Sequence, residues 1–169
     1  MTADRVDQLI AAWQQELPSV LDPTTELTKR LMLLAAAVDE STRSVLPELG
    51  LTMAEFDVLG TLRRSGEPCR MKPTELSRSL LISSGGTSNV VNQLANRGLV
   101  VREPDPEDGR GTQIRLTAEG VAMAEKAVLA GAAAHAEVWA DVPAEVLDAT
   151  TTALRALQQA TGPATQKRG

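Results

Sequence analysis

Apolar residues recur along this chain at two spacings, and the change from one to the other marks its architecture. Val6, Leu9, Ile10, Trp13 and Leu17 fall on one helical face, which predicts a helix over 3–17 that Pro18 stops. In "LDPTTE", Asp22 as N-cap and Pro23 at the first helical position predict a restart. The following stripe, Leu27, Leu31, Leu34, Val38, Val45 and Leu49, runs to about Pro47–Gly50 and is long enough to serve a partner helix as well as a core. "TMAE" (Thr52 to Glu55) has the form of a capping box opening a third helix through "FDVLGTLRR", closed by Ser65–Gly66. Pro73 opens "PTELSRSLL"; after "SSGG", the run "TSNVVNQLANRG" forms a helix with Gly98 just past its end. The period then becomes two. "LVVRE" (Leu99 to Glu103) and "TQIRL" (Thr112 to Leu116) flank Pro104, Pro106 and Gly109, as the strands of a hairpin with a long loop would. Thr117 caps an Ala-rich helix with Val121, Val128, His135 and Trp139 near one face, and Pro143 opens a last helix carrying Val146, Leu147, Leu154 and Leu157. The tail "GPATQKRG" reads as disordered, and no internal repeat is visible.

Composition adds a material constraint. The chain is 169 residues long and 43% hydrophobic, yet its aromatic residues are only Trp13, Phe56 and Trp139. A core of Leu, Val, Ala and Met suits packed helices, so the expected fold is mainly α with a small β-hairpin. No apolar run approaches the length of a membrane span and "MTADRVDQ" is unlike a signal peptide, which predicts a cytoplasmic protein with no membrane partner. At first sight the net charge of −5 argues against nucleic acid, but it is unevenly spread: residues 1–62 carry net −6, residues 63–115 net +3 and residues 116–169 net −2. The basic excess coincides with the hairpin, and local charge is what meets a phosphate backbone.

Two short helices, a tight turn and a hairpin follow one another in the order of a winged helix-turn-helix. A helix from about Ser84 to Arg97 would bury Val91, Leu94 and Ala95 and present Thr87, Ser88, Asn89, Asn92 and Gln93 outward. Asn and Gln pair bidentately with adenine edges in a major groove, and the Gly pair of "SSGG" leaves backbone N–H groups free for a phosphate. The plainer reading of the same residues is an ordinary solvated face. Arg110 stands between two glycines in an otherwise acidic loop, a placement suited to a narrow minor groove, with Asp108 two residues earlier to orient its guanidinium.

Other chemistries find less purchase. His135 is the only histidine and Cys69 the only cysteine, with no nucleophile–base pair, metal-ligand spacing or phosphate loop, so neither an enzyme nor a cofactor is expected. Cys69 lies between Arg64 and the pair Arg70 and Lys72, which leaves open a thiol redox sensor beside the plainer reading of a packed thiol. A winged domain acting as a protein-interaction module also stays open. Asp57 sits in an otherwise apolar helix register beside Val58 and Leu59, where a half-buried acid needs a partner such as Arg102 or a ligand donor.

"LTMAEFDVLGTLRR", "PTELSRSL" and above all "RGLV-x-R-x-x-D-x-x-D-G-R-G…LT-x-x-G" resemble the MarR (multiple antibiotic resistance regulator) family of bacterial transcription factors over roughly residues 26–161. The resemblance implies a homodimer on a pseudo-palindromic operator. It assigns residues 1–50 to an extra N-terminal helix and the first dimerisation helix, 51–117 to the winged lobe, 118–162 to C-terminal dimerisation helices and 163–169 to a disordered tail. It makes Ser84, Thr87, Ser88, Asn89, Asn92 and Gln93 the recognition-helix candidates and Arg110, with Asp108, the minor-groove pair. The extra helix bearing Trp13, together with "FDVL" and Arg102, is similar to the family's urate-responsive branch, which makes Trp13, Asp57 and Arg102 pocket candidates for a small anionic aromatic effector, a phenolic acid or a purine. At Val90 the chain departs from that branch, which carries an Arg there.

Overall fold

The computed structural model describes residues 3–80, 84–105 and 111–161, with residues 84 and 85 described by backbone alone. Among the described residues, besides two short 3-10 helices (Pro18–Val20 and Pro47–Leu49), seven α-helices and three strands run in the order α1 (Arg5–Glu16), α2 (Thr25–Val45), α3 (Met53–Arg64), β1 (Arg70–Met71), α4 (Pro73–Leu80), α5 (Ser84–Asn96), β2 (Val100–Pro104), β3 (Thr112–Leu116), α6 (Ala118–Val138) and α7 (Ala144–Thr161). The chain divides into two compact units, Met1–His135 and Ala136–Gly169; the second holds α7. No helix among the described residues is long and apolar enough to cross a membrane.

The helix starts follow from their caps. Asp4 accepts the N–H groups of Val6 and Asp7 at 2.8 and 3.0 Å while the Asp7 carboxylate takes Asp4 N–H at 3.0 Å, a reciprocal cap that opens α1. Arg30 of α2 binds both carboxylates, reaching Asp7 at 2.7 Å, and also pairs with Glu26 one turn away at 2.8 Å. Those partners hold the Asp4 carboxyl below its ordinary value, the Arg30 hydrogen bond first among the causes. The α2 start is a correction. Asp22 does not cap it; its carboxylate takes the Thr24 N–H and hydroxyl in a turn one step earlier, and the helix begins at Thr25 with no side-chain cap. The Thr52–Glu55 capping box opens α3 as its sequence predicts, with Thr52 N donating to Glu55 at 2.9 Å and Glu55 N to Thr52 at 3.2 Å.

Leu46, Leu51, Val58, Leu59, Leu62, Leu76, Val91, Leu94, Val100, Ile114 and Leu116 form one buried cluster, so α3, α4, α5 and the sheet share a core. The α6 face is a second correction. Gly120, Ala124, Ala127 and Gly131 are buried, whereas Val128 is 42% exposed, because only small side chains fit where this helix lies close to its neighbours. The sheet holds one strand more than the hairpin predicts. It is antiparallel in the order β1-β3-β2, with Arg70 opposite Arg115 and Val101 opposite Arg115 from the other side. Leu27, Leu31 and Leu34 of the α2 stripe remain 36–45% exposed.

Candidate nucleic-acid interface

Val91 and Leu94 are fully buried on α5, which fixes the opposite face of the helix outward. That face carries Ser88, Asn89, Asn92 and Gln93, all exposed, so three amides and a hydroxyl stand together without a charged residue among them. Thr87 is a correction to the expected outward set. It is only 2% exposed and lies with the core-facing residues, since it stands four residues before Val91 on the same face. Gly98, in the left-handed conformation, ends the turn after α5. Ser84 starts the helix, but its side chain lies outside the described residues.

Two polar contacts hold α5 against its surroundings. At its C-terminal end, Arg97 donates to the Glu55 carboxylate at 2.8 Å, and the Glu55 side chain is 6% exposed. Burial works to raise the Glu55 pKa, but the backbone hydrogen bond from Thr52 and the Arg97 contact outweigh it and leave the carboxyl below its ordinary value. The glutamate that caps α3 therefore also anchors the end of α5. On the outward side, Arg102 of β2 donates to the Asn92 Oδ1 at 3.1 Å, so the hairpin reaches across to a base-reading candidate.

Arg102 also borders a cleft of about 280 Å³, together with Thr74, Ser77 and Arg78 of α4, Ser88 of α5 and Ile114 of β3. Asp57 lies elsewhere, in a cleft of about 420 Å³ lined also by Phe56, Gly60, Arg63, Arg64 and Val128. Burial and the nearby Asp39 raise the Asp57 pKa, and Arg43 opposes them. Trp13 borders neither cleft and is 42% exposed on α1. The three expected pocket residues are thus not gathered into one pocket among the described residues, and Arg102 is engaged with Asn92 rather than with Asp57. Hairpin geometry is the reason: Arg102 sits opposite Ile114 in the β2–β3 register, beside α5, while Asp57 is on α3.

The hairpin is built from charge pairs. Arg115 binds Glu103 through Nε at 3.0 and 3.1 Å across the strands. The buried Asp105 accepts from Gln113 Nε2 at 3.0 Å and pairs with Lys72 at 2.9 Å, and its N–H donates to Gly111 O at 2.9 Å. Asp108 and Arg110 lie outside the described residues. Sequence reasoning passed over Lys72, Glu55, Arg97, Asp105 and Gln113 as functional candidates. The signal for Asp105 was the first Asp of the "D-x-x-D" spacing; nothing local marked Glu55 as more than a cap.

Cys69 is 1% exposed within the core, in a left-handed backbone conformation at φ 55°, which withdraws the thiol from the access a redox sensor needs. His135 bonds through Nε2 with the Thr42 hydroxyl at 2.8 Å, a packing contact between α6 and α2.

A family model described as the MarR family matches residues 49–111. The chain is 28% identical over 152 residues to the HTH-type transcriptional regulator PecS of Dickeya dadantii, covering 90% of this chain and 89% of that protein. It is 31% identical over 114 residues to an HTH-type transcriptional repressor of Mycobacterium tuberculosis, covering 68% of this chain and 80% of that one. Its fold matches a solved structure of a mutant Escherichia coli MarR complexed with operator DNA at a TM-score of 0.67 and 26% identity, covering 81% of this chain and 99% of that one.

Proposed function

The chain belongs to the MarR family of transcriptional regulators, and from that premise we propose that it is a ligand-responsive repressor that binds a pseudo-palindromic operator as a homodimer. One observation carries the reading: the outward amides of α5 include Asn92, which an arginine of the hairpin holds in place at 3.1 Å. Ser88, Asn89, Asn92 and Gln93 enter the major groove, where amides read adenine edges, and the Val90 methyls meet thymine methyls. Arg110, with Asp108 as its orienting partner, follows the minor groove. The uncovered apolar side chains Trp13, Leu27, Leu31 and Leu34 support the dimer, because a monomer would leave them in water. Residues 1–50 and 118–162 then form the dimerisation part and 51–117 the reading part.

The effector is a small anionic aromatic molecule. In the Arg102 cleft its carboxylate competes with Asn92 for the guanidinium, so binding loosens an amide that reads DNA, and the operator is released. The Asp57 cleft is the second candidate, favoured by the half-buried carboxyl, whose pKa burial raises, in a cleft it shares with Arg63 and Arg64.

Binding isotherms on the chain's own upstream DNA, taken at several salt concentrations, test the reading. Arg110→Ala weakens binding by about 1–3 kcal/mol and makes the slope of log affinity on log salt shallower by about one. Asn89→Ala and Gln93→Ala leave that slope nearly unchanged and relax discrimination at single base pairs. Asp108→Ala imitates Arg110→Ala in milder form. A panel of phenolic acids and purines, run against the parent and Arg102→Ala, tests the effector arm. Parent-like binding by Arg110→Ala at every salt concentration would exclude the wing from the interface.

A further inference from the structure

The base of the hairpin contains a polar cluster that no DNA contact explains. Asp105, one residue past β2, has no exposed side-chain surface, and side chains from β3 and from the start of α4 converge on it. Gln113 of β3 donates to one oxygen at 3.0 Å, and Lys72, in the joint between β1 and α4, meets the other at 2.9 Å. The Asp105 backbone N–H donates to Gly111 O at 2.9 Å. Gln113 is itself 8% exposed, and its Oε1 is buried without a partner among the described residues.

Such a cluster is an expensive way to gain stability. Desolvating a carboxylate costs several kcal/mol by the usual balance, and an ion pair with a half-exposed lysine repays little more than that. A buried amide oxygen left unpaired adds to the cost. What the cluster does provide is direction. Lys72 immediately precedes Pro73, the first residue of α4, and α4 packs on α5 through the core that includes Leu76, Val91 and Leu94. The Lys72–Asp105 pair ties the base of the hairpin to the start of α4, the helix that packs on α5. The hairpin's own cross-strand pair, Arg115 with Glu103, joins β2 to β3 alone and does not reach α4.

We propose that Asp105 is a positioning residue for DNA binding: paired with Lys72 and Gln113, it sets the angle at which the loop carrying Arg110 leaves the sheet, so that wing and recognition helix reach one duplex together. The inference rests on the reading of Arg110 as a minor-groove residue. Asp105 touches no DNA; it acts only through the wing.

The test is a double-mutant cycle read as operator affinity, with thermal unfolding of every variant measured alongside. Asp105→Asn keeps the shape and the Gln113 contact but removes the charge that holds Lys72. Alone it weakens operator binding by roughly tenfold, the size of one lost groove contact. Combined with Arg110→Ala it adds less than about twofold, because the contact it positions is already gone. A merely structural aspartate would cost the same factor in both backgrounds, and that result would overturn the inference. So would parent-like binding by Asp105→Asn. If Asp105→Asn does not fold, Lys72→Gln loosens the same pair from the exposed side and must show the same dependence on Arg110. Parent-like binding by Arg110→Ala overturns the wing reading and this inference with it, whereas a weakened Arg110→Ala with an additive Asp105→Asn overturns this inference alone.

Discussion

Gly120 turns a sequence motif into a measurable clash. A Cβ built on it stands 1.9 Å from the Leu99 carbonyl oxygen and 2.9 Å from the Leu99 carbonyl carbon, both backbone atoms that no rotamer change can move. Ordinary carbon–oxygen contact lies near 3.3 Å by the usual radii, so an alanine forces the start of α6 and the start of the hairpin apart by more than an ångström. Hydrogen bonds cross that same gap: Thr117 N donates to Leu99 O at 3.1 Å and Thr117 Oγ1 to Gly98 O at 2.7 Å, while Gly120 N donates back to Thr117 Oγ1 at 3.0 Å. Losing or stretching two of them costs about 1–3 kcal/mol, and overpacking adds about 1–3. Alanine's helical advantage returns about 1 kcal/mol. Gly120→Ala should therefore lose about 1–5 kcal/mol in urea unfolding. Two controls carry the same substitution in helices. At Gly131 the new methyl meets only the Phe56 ring, at 3.3 Å, which can shift, and at Gly60 it meets a Val128 methyl at 3.6 Å, an ordinary contact. Gly131→Ala should stay within about 1 kcal/mol of the parent and Gly60→Ala should gain about 0.5–1 kcal/mol. If Gly120→Ala unfolds at the parent's urea midpoint, the close approach of α6 to Leu99 is not real.

Three further perturbations probe the polar framework. Glu55 has a lowered pKa in the fold, so the unfolded chain binds its proton more readily; its contribution is present above the unfolded value near 4.3 and fades as pH falls through the folded value. Glu55→Gln should lower stability by about 1–3 kcal/mol at pH 7 and flatten the acid limb of a stability–pH curve; an unchanged acid limb counts against the Arg97 pair. Asp57 shifts the other way: its raised pKa makes the folded state favour the proton, so this carboxylate lowers stability as pH rises past its unfolded value. Asp57→Asn should equal or exceed the parent in thermal stability at pH 7, and a loss there would contradict the sign; an altered effector response would place the ligand in its cleft. Cys69 should resist alkylation in the native protein and react only on unfolding, so prompt labelling at native conditions would contradict its burial.

The fold was legible wherever local chemistry and core packing agree. The capping box at Thr52–Glu55, the proline openings at Pro73 and before α7, the left-handed Gly98 and the period-two runs of the hairpin each rest on interactions within a few residues, and α3, α4, α7, β2 and β3 each start within a residue of their expected place. Asp22 shows the limit of that logic. Its side chain found an N–H to cap, as the sequence suggested, but in a turn that precedes the helix instead of opening it. The two-residue strand β1 could not be read at all, because Arg70 and Met71 owe their conformation to β3, more than forty residues on.

The site was legible in its surface and opaque in its supports. Helical periodicity found the outward amides of α5 because Val91 and Leu94 define the inward side; Thr87 failed because a short polar β-branched residue can sit on either face, and periodicity reads hydrophobicity better than position. The groups that anchor α5 and the hairpin base come from far along the chain, Glu55 onto Arg97 and Lys72 onto Asp105, and no pattern in one sequence joins such pairs. The same limit separated Arg102 from Asp57. Asp57 stands out as a charged residue in an apolar register and Arg102 as its candidate partner and by resemblance, but that they meet requires a shared neighbourhood that only the fold could supply. It supplied another instead: Asn92, on the reading face, within hydrogen-bond reach of Arg102. That substitution of partner changes the mechanism. On the function proposed above, an effector that engages Arg102 would not need to move a distant lobe to disturb DNA binding, because Arg102 is one hydrogen bond from Asn92 of α5.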